Sequence, residues 1–168
     1  MSIIPSGSSD SRLVGLSTRA LDATLLSPPQ TTTAETLGLR ILANLSDLKA
    51  SFPLDTIVTS RSFLKRNRDT AKRFLRAYIE ALYAIRTNRE GTIVVLRKVL
   101  RESNRKVLES TYDYYASQFA IPPRVSSEGL RTTADFLAPK GGIADVDRVL
   151  DESLLDELER EGVFNASK

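Results

Sequence analysis

The 168-residue sequence contains no cysteine, no histidine and no tryptophan. The lack of cysteine excludes disulfides, thiol nucleophiles and thiolate metal sites. The lack of histidine removes the commonest general base, the commonest metal ligand and every catalytic triad built on serine and histidine. We therefore expect a protein that is not an enzyme, with no catalytic residues, no metal site and no cofactor.

The charge of the chain is modest. Lysine and arginine number 24 and aspartate and glutamate 21, which leaves a net charge of +3. This excess is too small to indicate nucleic-acid binding by itself. The first residues have neither the basic nor the apolar region of a secretory signal, and no apolar run approaches the roughly 20 residues of a membrane span. Taken alone, the sequence predicts a soluble, cytoplasmic chain.

The first part of the chain alternates between two kinds of pattern. Short apolar runs that predict strands recur at 2–4, 23–26, 39–43 and 55–60. Between them, Ser8 or Ser9 is placed to cap one short helix, and Gly38 is placed to end another. This alternation predicts an α/β fold.

From residue 61 onward the pattern is almost entirely helical. Asp69, Asn104, Ser126 and Asp151 each precede an apolar periodic stretch, as helix-capping residues do. A stop is predicted at Pro139 to Gly142. The longest predicted helix carries a broad apolar face between Ala71 and Ile85, with Phe74 on it, and such a face needs a covering layer. The predicted fold is therefore α/β, rich in helix, with few short strands.

The order of these segments resembles one protein family, the type-2 periplasmic substrate-binding proteins of ABC importers. The stretches that carry the resemblance are 7–13 (GSSDSRL), 21–29 (LDATLLSPP), 57–81 (IVTSRSFLKRNRDTAKRFLRAYIEA) and 151–162 (DESLLDELEREG). Within that family, the amino-acid sequence of these stretches is similar to that of the group that binds nitrate, sulfonates, taurine and thiamine precursors. Together the stretches extend over nearly the whole chain.

The resemblance implies a domain organisation. Members of the family have two α/β lobes joined by a hinge, and are about twice as long as this chain. Residues 1–54 resemble part of the second lobe, 55–60 the strand that returns through the hinge, and 61–168 the helices that cover the first lobe. The chain therefore resembles the C-terminal half of a binding protein, and we expect either a homo-oligomer or a missing N-terminal half.

The resemblance also implies a function. The expected role is that of the solute-binding component of a bacterial ABC importer, which closes around a small anionic or heteroaromatic solute and presents it to an ABC permease. With half of the cleft missing, we expect binding by this chain to be weakened. The resemblance implies a periplasmic location, although no signal peptide is present in this chain.

Seven residues form the predicted ligand site. Ser27 and Pro28 follow a predicted strand and precede a helix, where backbone amides and a hydroxyl favour an anion. Ser6, Gly7 and Ser8 form a small polar loop before another helix, for which simple helix capping is the alternative interpretation. Thr59 and Ser60 lie at the predicted hinge, or on a plain β-branched strand.

Two alternatives remain open at this stage. Residues 61–138 could form a helical interaction or DNA-binding domain, since 61–76 holds seven cations. A plain solvated face beside a buried one explains the same run, and we expect no nucleic-acid partner. An enzyme related to pyrimidine synthases is the second alternative, which the absence of histidine and cysteine disfavours. Tyr112 and Tyr115, three residues apart, are predicted to pack in the core.

Overall fold

The computed structural model describes residues 2–47, 53, 55–137 and 145–165. Within those ranges, the chain forms three short 3₁₀ turns, Leu45–Asp47, Val146–Arg148 and Val163–Asn165, and eight α-helices: α1 Ser9–Ser17, α2 Gln30–Thr36, α3 Arg61–Arg66, α4 Arg68–Thr87, α5 Arg89–Leu100, α6 Arg105–Gln118, α7 Ser127–Leu137 and α8 Ser153–Arg160. The predicted stop at Pro139 to Gly142 lies outside the described residues.

The predicted α/β class is wrong for the described part of the chain, which contains helices and no strand. The four segments predicted as strands are neither helical nor paired there. No backbone hydrogen bond joins 2–6, 22–26, 40–43 or 55–59 to another described segment. A strand exists only through pairing with a neighbour, so a strand-like pattern without a partner leaves unpaired backbone.

Several helix ends follow local sequence, although Asp69, predicted as a cap, lies inside the first turn of α4. Ser8 caps α1 and Asn104 accepts a hydrogen bond from the amide of Lys106, as predicted. Gly38 has φ of +79° and, with the residue after it, closes α2 through a pair of backbone hydrogen bonds of the Schellman type. Asn88, which follows α4, is the N-cap of α5, and its side chain accepts from the amide of Gly91 at 2.9 Å.

One compact unit comprises the described residues of Met1–Leu45 and Asn88–Gln118. In it α2 packs against both α1 and α6, and α6 packs against α5. Tyr112 is 8% exposed, which confirms its predicted place in the core, and the guanidinium of Arg89 lies 5.3 Å from the centre of its ring. The hydroxyls of Thr32 in α2 and Ser110 in α6 share a hydrogen bond of 2.9 Å, which connects these two helices.

The other unit comprises the described residues of Ser46–Thr87 and Phe119–Lys168. Here α4 packs against α3 and α8. Ile79 and Leu158 are both fully buried and meet Leu155 in the core of this unit. The hydroxyl of Tyr83 donates to the carbonyl of Phe164 at 2.9 Å, which holds the last turn against α4. The lobes predicted from the resemblance belong to a larger fold, and that division stays a prediction.

Several apolar surfaces remain exposed. On α5, Val94, Val95 and Val99 are 59–70% exposed, although Ile93 of the same helix is buried. Phe74, predicted on the buried face of the longest helix, is 56% exposed. Among the described helices, none is both long and apolar enough to cross a membrane.

Candidate functional site

The loop before α1 holds three of the predicted site residues. Ser8 is the N-cap of this helix, and its Oγ accepts from the amide of Ser11 at 3.2 Å. Gly7 has φ of +71°, a left-handed conformation that favours glycine. The hydroxyl of Ser6 donates to the carbonyl of Ile4 at 3.2 Å. The capping interpretation is confirmed for Ser8, while a ligand contact by the loop stays a prediction.

The connection that leads into α2 holds two more of the predicted site residues, Ser27 and Pro28. The carbonyl of Ser27 accepts from the amide of Thr31 at 3.3 Å. The carbonyl of Pro28 accepts from the hydroxyl of Tyr115 at 3.1 Å, and the bond between Pro28 and Pro29 is cis. The half-buried Ser27 side chain has no hydrogen-bond partner among the described residues. Its hydroxyl is therefore available to a ligand.

A side-chain hydrogen bond links these two regions. The Nε2 atom of Gln30, the first residue of α2, donates to Oδ1 of Asp10 in the first turn of α1 at 2.7 Å. The contact connects the start of one helix to the start of the other. The structure thus brings the first turn of α1, which follows the loop at 6–8, into contact with the start of α2, which follows the connection at 27–29.

Thr59 and Ser60 lie in the other compact unit. Ser60 is the N-cap of α3, with its Oγ accepting from the amide of Phe63 at 3.1 Å. Thr59 is exposed and precedes the helix without regular structure. A cap of this kind accounts for Ser60 without a ligand. A ligand role for the two residues stays a prediction.

Sequence reasoning missed three residues of the site: Asp10, Gln30 and Tyr115. An acidic residue in a first helical turn is ordinarily explained by the helix dipole, so Asp10 gave no signal of its own. Tyr115 was expected in the core, and its ring does meet that of Tyr114 edge-on at 5.0 Å. Its hydroxyl, however, reaches a proline 87 positions away.

Three of the seven cations at 61–76 pair with carboxylates of α8 and of the residue that follows it. Arg68 and Lys72 both pair with Glu157, the latter at 3.1 Å, and Lys72 and Arg76 pair with Glu161. The other four, Arg61, Lys65, Arg66 and Arg73, have no carboxylate within 4 Å among the described residues, and Arg61 donates to the carbonyl of Arg148.

The segment 61–138 does not form one compact body, since 88–118 belongs to a different unit from the rest. A DNA-binding domain that neutralises many phosphates needs a continuous set of free cations. Four cations on α3 and the first half of α4, one of them engaged with a backbone carbonyl, supply only a small part of that set. We therefore propose no nucleic-acid function.

The acidic side chains near the end of the described chain form several ion pairs. Arg124 pairs with Glu152, Asp156 and Glu159 at 2.7–2.9 Å. These contacts raise the pKa of Arg124, and the hydrogen bond to Glu152 has the largest effect. Hydrogen bonds from Arg68 and then Lys72 lower the pKa of Glu157. Within the described ranges, no group of three or more acidic side chains is arranged to hold a metal ion.

Acidification is expected to weaken the contact between α4 and α8. The pKa values of Glu157 and Glu161 are lowered in the folded chain, by Arg68 and Lys72 respectively. The unfolded chain therefore binds protons first, and the stabilisation is present above the usual glutamate pKa of about 4.3 and lost as the pH falls below it. The measurement is the thermal midpoint of the chain at a series of pH values from 7 to 3.

Glu157→Gln removes the share of this pH dependence that Glu157 contributes. Glu80→Gln is the matched control, because Glu80 is exposed on α4 and has no salt bridge in the described chain. The first variant is expected to melt below the native protein at pH 7 and together with it near pH 3. A gap of equal size at both pH values would contradict the prediction. The control should follow the native curve throughout.

Comparison with known proteins gives one informative similarity. The chain is 26% identical over 154 residues to a protein of Brachyspira hyodysenteriae that bears the name ABC transporter periplasmic binding protein. The match takes in 83% of this chain and 43% of that relative, so the chain spans less than half of its length. No protein-family model matches the chain, and no solved structure matches it either.

Proposed function

We propose that this chain is part of the solute-binding component of an ABC importer, that it acts in the periplasm without catalysing a reaction, and that it passes a small solute to a membrane permease. The similarity to the Brachyspira protein supports the general class. The amino-acid sequence of 7–13 and 21–29 suggests the solute group that we propose, which comprises sulfonates, nitrate, taurine and similar small molecules.

The observation that carries the proposal is the link between Gln30 and Asp10. It joins two polar loops that are separate in the sequence, those at 6–8 and 27–30. A binding component needs convergent hydroxyls, amides and charges rather than a titrating base. This side of the unit offers the free hydroxyl of Ser27 and the phenol of Tyr115, together with backbone amides at the start of α1.

The chain accounts for only part of a binding cleft. It spans 43% of its relative, and a solute held between two lobes would make the rest of its contacts elsewhere. We therefore expect weak binding by the chain alone. Isothermal titration with taurine, methanesulfonate, nitrate and a pyrimidine tests the proposal, and the absence of heat or chemical-shift change with every solute at tens of millimolar would overturn it.

Ser27→Ala tests the site itself. Its hydroxyl has no internal partner, so its loss should leave the melting temperature unchanged while it removes a hydrogen bond to the solute, which is worth about 1 kcal/mol or roughly a fivefold weaker Kd. Ser103→Ala is the matched control, because Ser103 is exposed in the same unit and away from these loops. Equal weakening by both variants would place the solute elsewhere.

A further inference from the structure

We infer that the guanidinium of Arg12 binds an oxyanion group of the solute (a carboxylate, sulfonate or phosphate) at the start of α1. The inference rests on the proposed function and deepens it, because it names the chemical group that the site selects.

Arg12 holds an unsatisfied hydrogen-bond donor. Its Nη2 atom donates to the hydroxyl of Ser9 at 2.9 Å. Its Nε atom is buried and has no acceptor, and it is the one buried side-chain nitrogen or oxygen in that condition among the described residues. Buried donors in folded proteins are almost always paired, so an unpaired one calls for an explanation such as a bound ion.

The other arginines show that this state is exceptional. Five arginines of the chain are half-buried, and all of them lie in the described ranges. Four of the five pair with at least one carboxylate: Arg68, Arg76, Arg89 and Arg124. Arg12 has no carboxylate within 4 Å among the described residues. A guanidinium partly removed from water without a counter-charge favours an anion from solution.

The surroundings of Arg12 suit an oxyanion. The bond to Ser9, three residues earlier, directs the guanidinium toward the first turn of α1, where backbone amides and the helix dipole also favour negative charge. The planar guanidinium donates two parallel hydrogen bonds to a carboxylate, sulfonate or phosphate. Asp10 forms no ion pair with Arg12 within 4 Å, and its carboxylate accepts a hydrogen bond from Gln30.

The test is a titration of the full chain with methanesulfonate, acetate and inorganic phosphate, and with methanesulfonamide as the neutral analogue. Kd is measured by calorimetry, and the Nε–H resonance of Arg12 is followed by ¹⁵N NMR. We expect the anions to shift that resonance and the sulfonamide to leave it unchanged. The order of the three anions then distinguishes a sulfonate site from a carboxylate or phosphate site.

Variants at Arg12 supply the quantitative test. A hydrogen-bonded ion pair contributes enough that Arg12→Gln should weaken anion binding by about tenfold to a hundredfold, with Arg12→Lys between it and the native protein because it keeps the charge and loses the planar fork. Arg40→Gln is the matched control, since Arg40 is exposed in the same unit. Circular dichroism of each variant establishes that it is folded.

The outcomes separate the inference from the proposed function. Solute binding that is equally strong in Arg12→Gln, or equally strong for sulfonate and sulfonamide, would overturn the role of Arg12 and leave the function standing. Anion binding that shifts the Nε–H resonance, without any response to taurine, nitrate or a pyrimidine, would support the anion site and contradict the proposed solute group. No shift with any anion would overturn the inference.

Discussion

Replacement of Leu158 by alanine is expected to destabilise the chain by about 3 kcal/mol, within the range of 2–5 kcal/mol found for buried leucines. Leu158 is fully buried and packs with Ile79 of α4 and Leu155 of its own helix. The variant loses the transfer free energy of the side chain and leaves a cavity that α8, a helix of eight residues, can only partly close.

Hydrogen exchange of peptides from α4 and α8 is the appropriate measurement. The chain has two compact units and a single melting transition need not describe both. Val149→Ala is the matched control, because Val149 lies in the same unit and is 62% exposed, and a change within about 0.5 kcal/mol is expected for it. A loss of protection no larger in Leu158→Ala than in Val149→Ala would contradict the assigned core.

Ile79→Ala is expected to act on the same core. Ile79 is also fully buried, and it contacts the cluster that contains Leu158. Two residues in contact do not contribute independently, so the double variant should lose less stability than the sum of the single variants, with an interaction of about 0.5–3 kcal/mol. A loss of stability in the double variant equal to the sum of the two single losses would contradict the contact between these side chains.

Local sequence predicted most of the helices and several of their ends, although α4 begins one residue before its predicted cap, Asp69. Ser8, Gly38 and Asn104 act where they were predicted to act, because caps depend on hydrogen bonds across three or four residues. The strands at 2–4, 23–26, 39–43 and 55–60 were wrong for the described chain, because pairing depends on a partner that a local pattern does not supply. Phe74 was predicted to be buried and is exposed for a related reason. An apolar periodicity identifies one face of a helix, but the residues that cover that face come from the tertiary structure.

In the candidate site, too, the local features were predicted from the sequence and the tertiary contacts were not. Its loops at 6–8 and 27–28 were identified from serine, glycine and proline in short runs, which are local signals. The contacts that assemble it connect residues 20 and 87 positions apart, Asp10 with Gln30 and Pro28 with Tyr115, and such pairs have no signature in a single sequence. The unpaired Nε atom of Arg12 is also a tertiary property, since its significance lies in the absence of a partner among the described residues.

The chain of 18.6 kDa is expected to self-associate at micromolar concentration when it is produced alone. Ile3, Leu42 and Val58 are 83–89% exposed, and each lies in a segment whose backbone has no hydrogen bond to another described segment. Unpaired backbone beside exposed apolar side chains is the surface on which chains add to one another. Light scattering after size exclusion, with infrared detection of new β-structure, measures the effect.

Two matched triple variants identify the cause of that association. Ile3→Lys/Leu42→Lys/Val58→Lys places a charge on each exposed apolar side chain and should give a monomer, because burial of lysine in a contact between chains is unfavourable. Ser2→Lys/Ala43→Lys/Thr56→Lys adds the same charge at neighbouring exposed positions and keeps the apolar side chains, so it should remain associated. A native chain that is already a monodisperse monomer with a sharp thermal transition would contradict the expectation, and monomers from both triple variants would assign the association to net charge rather than to apolar burial.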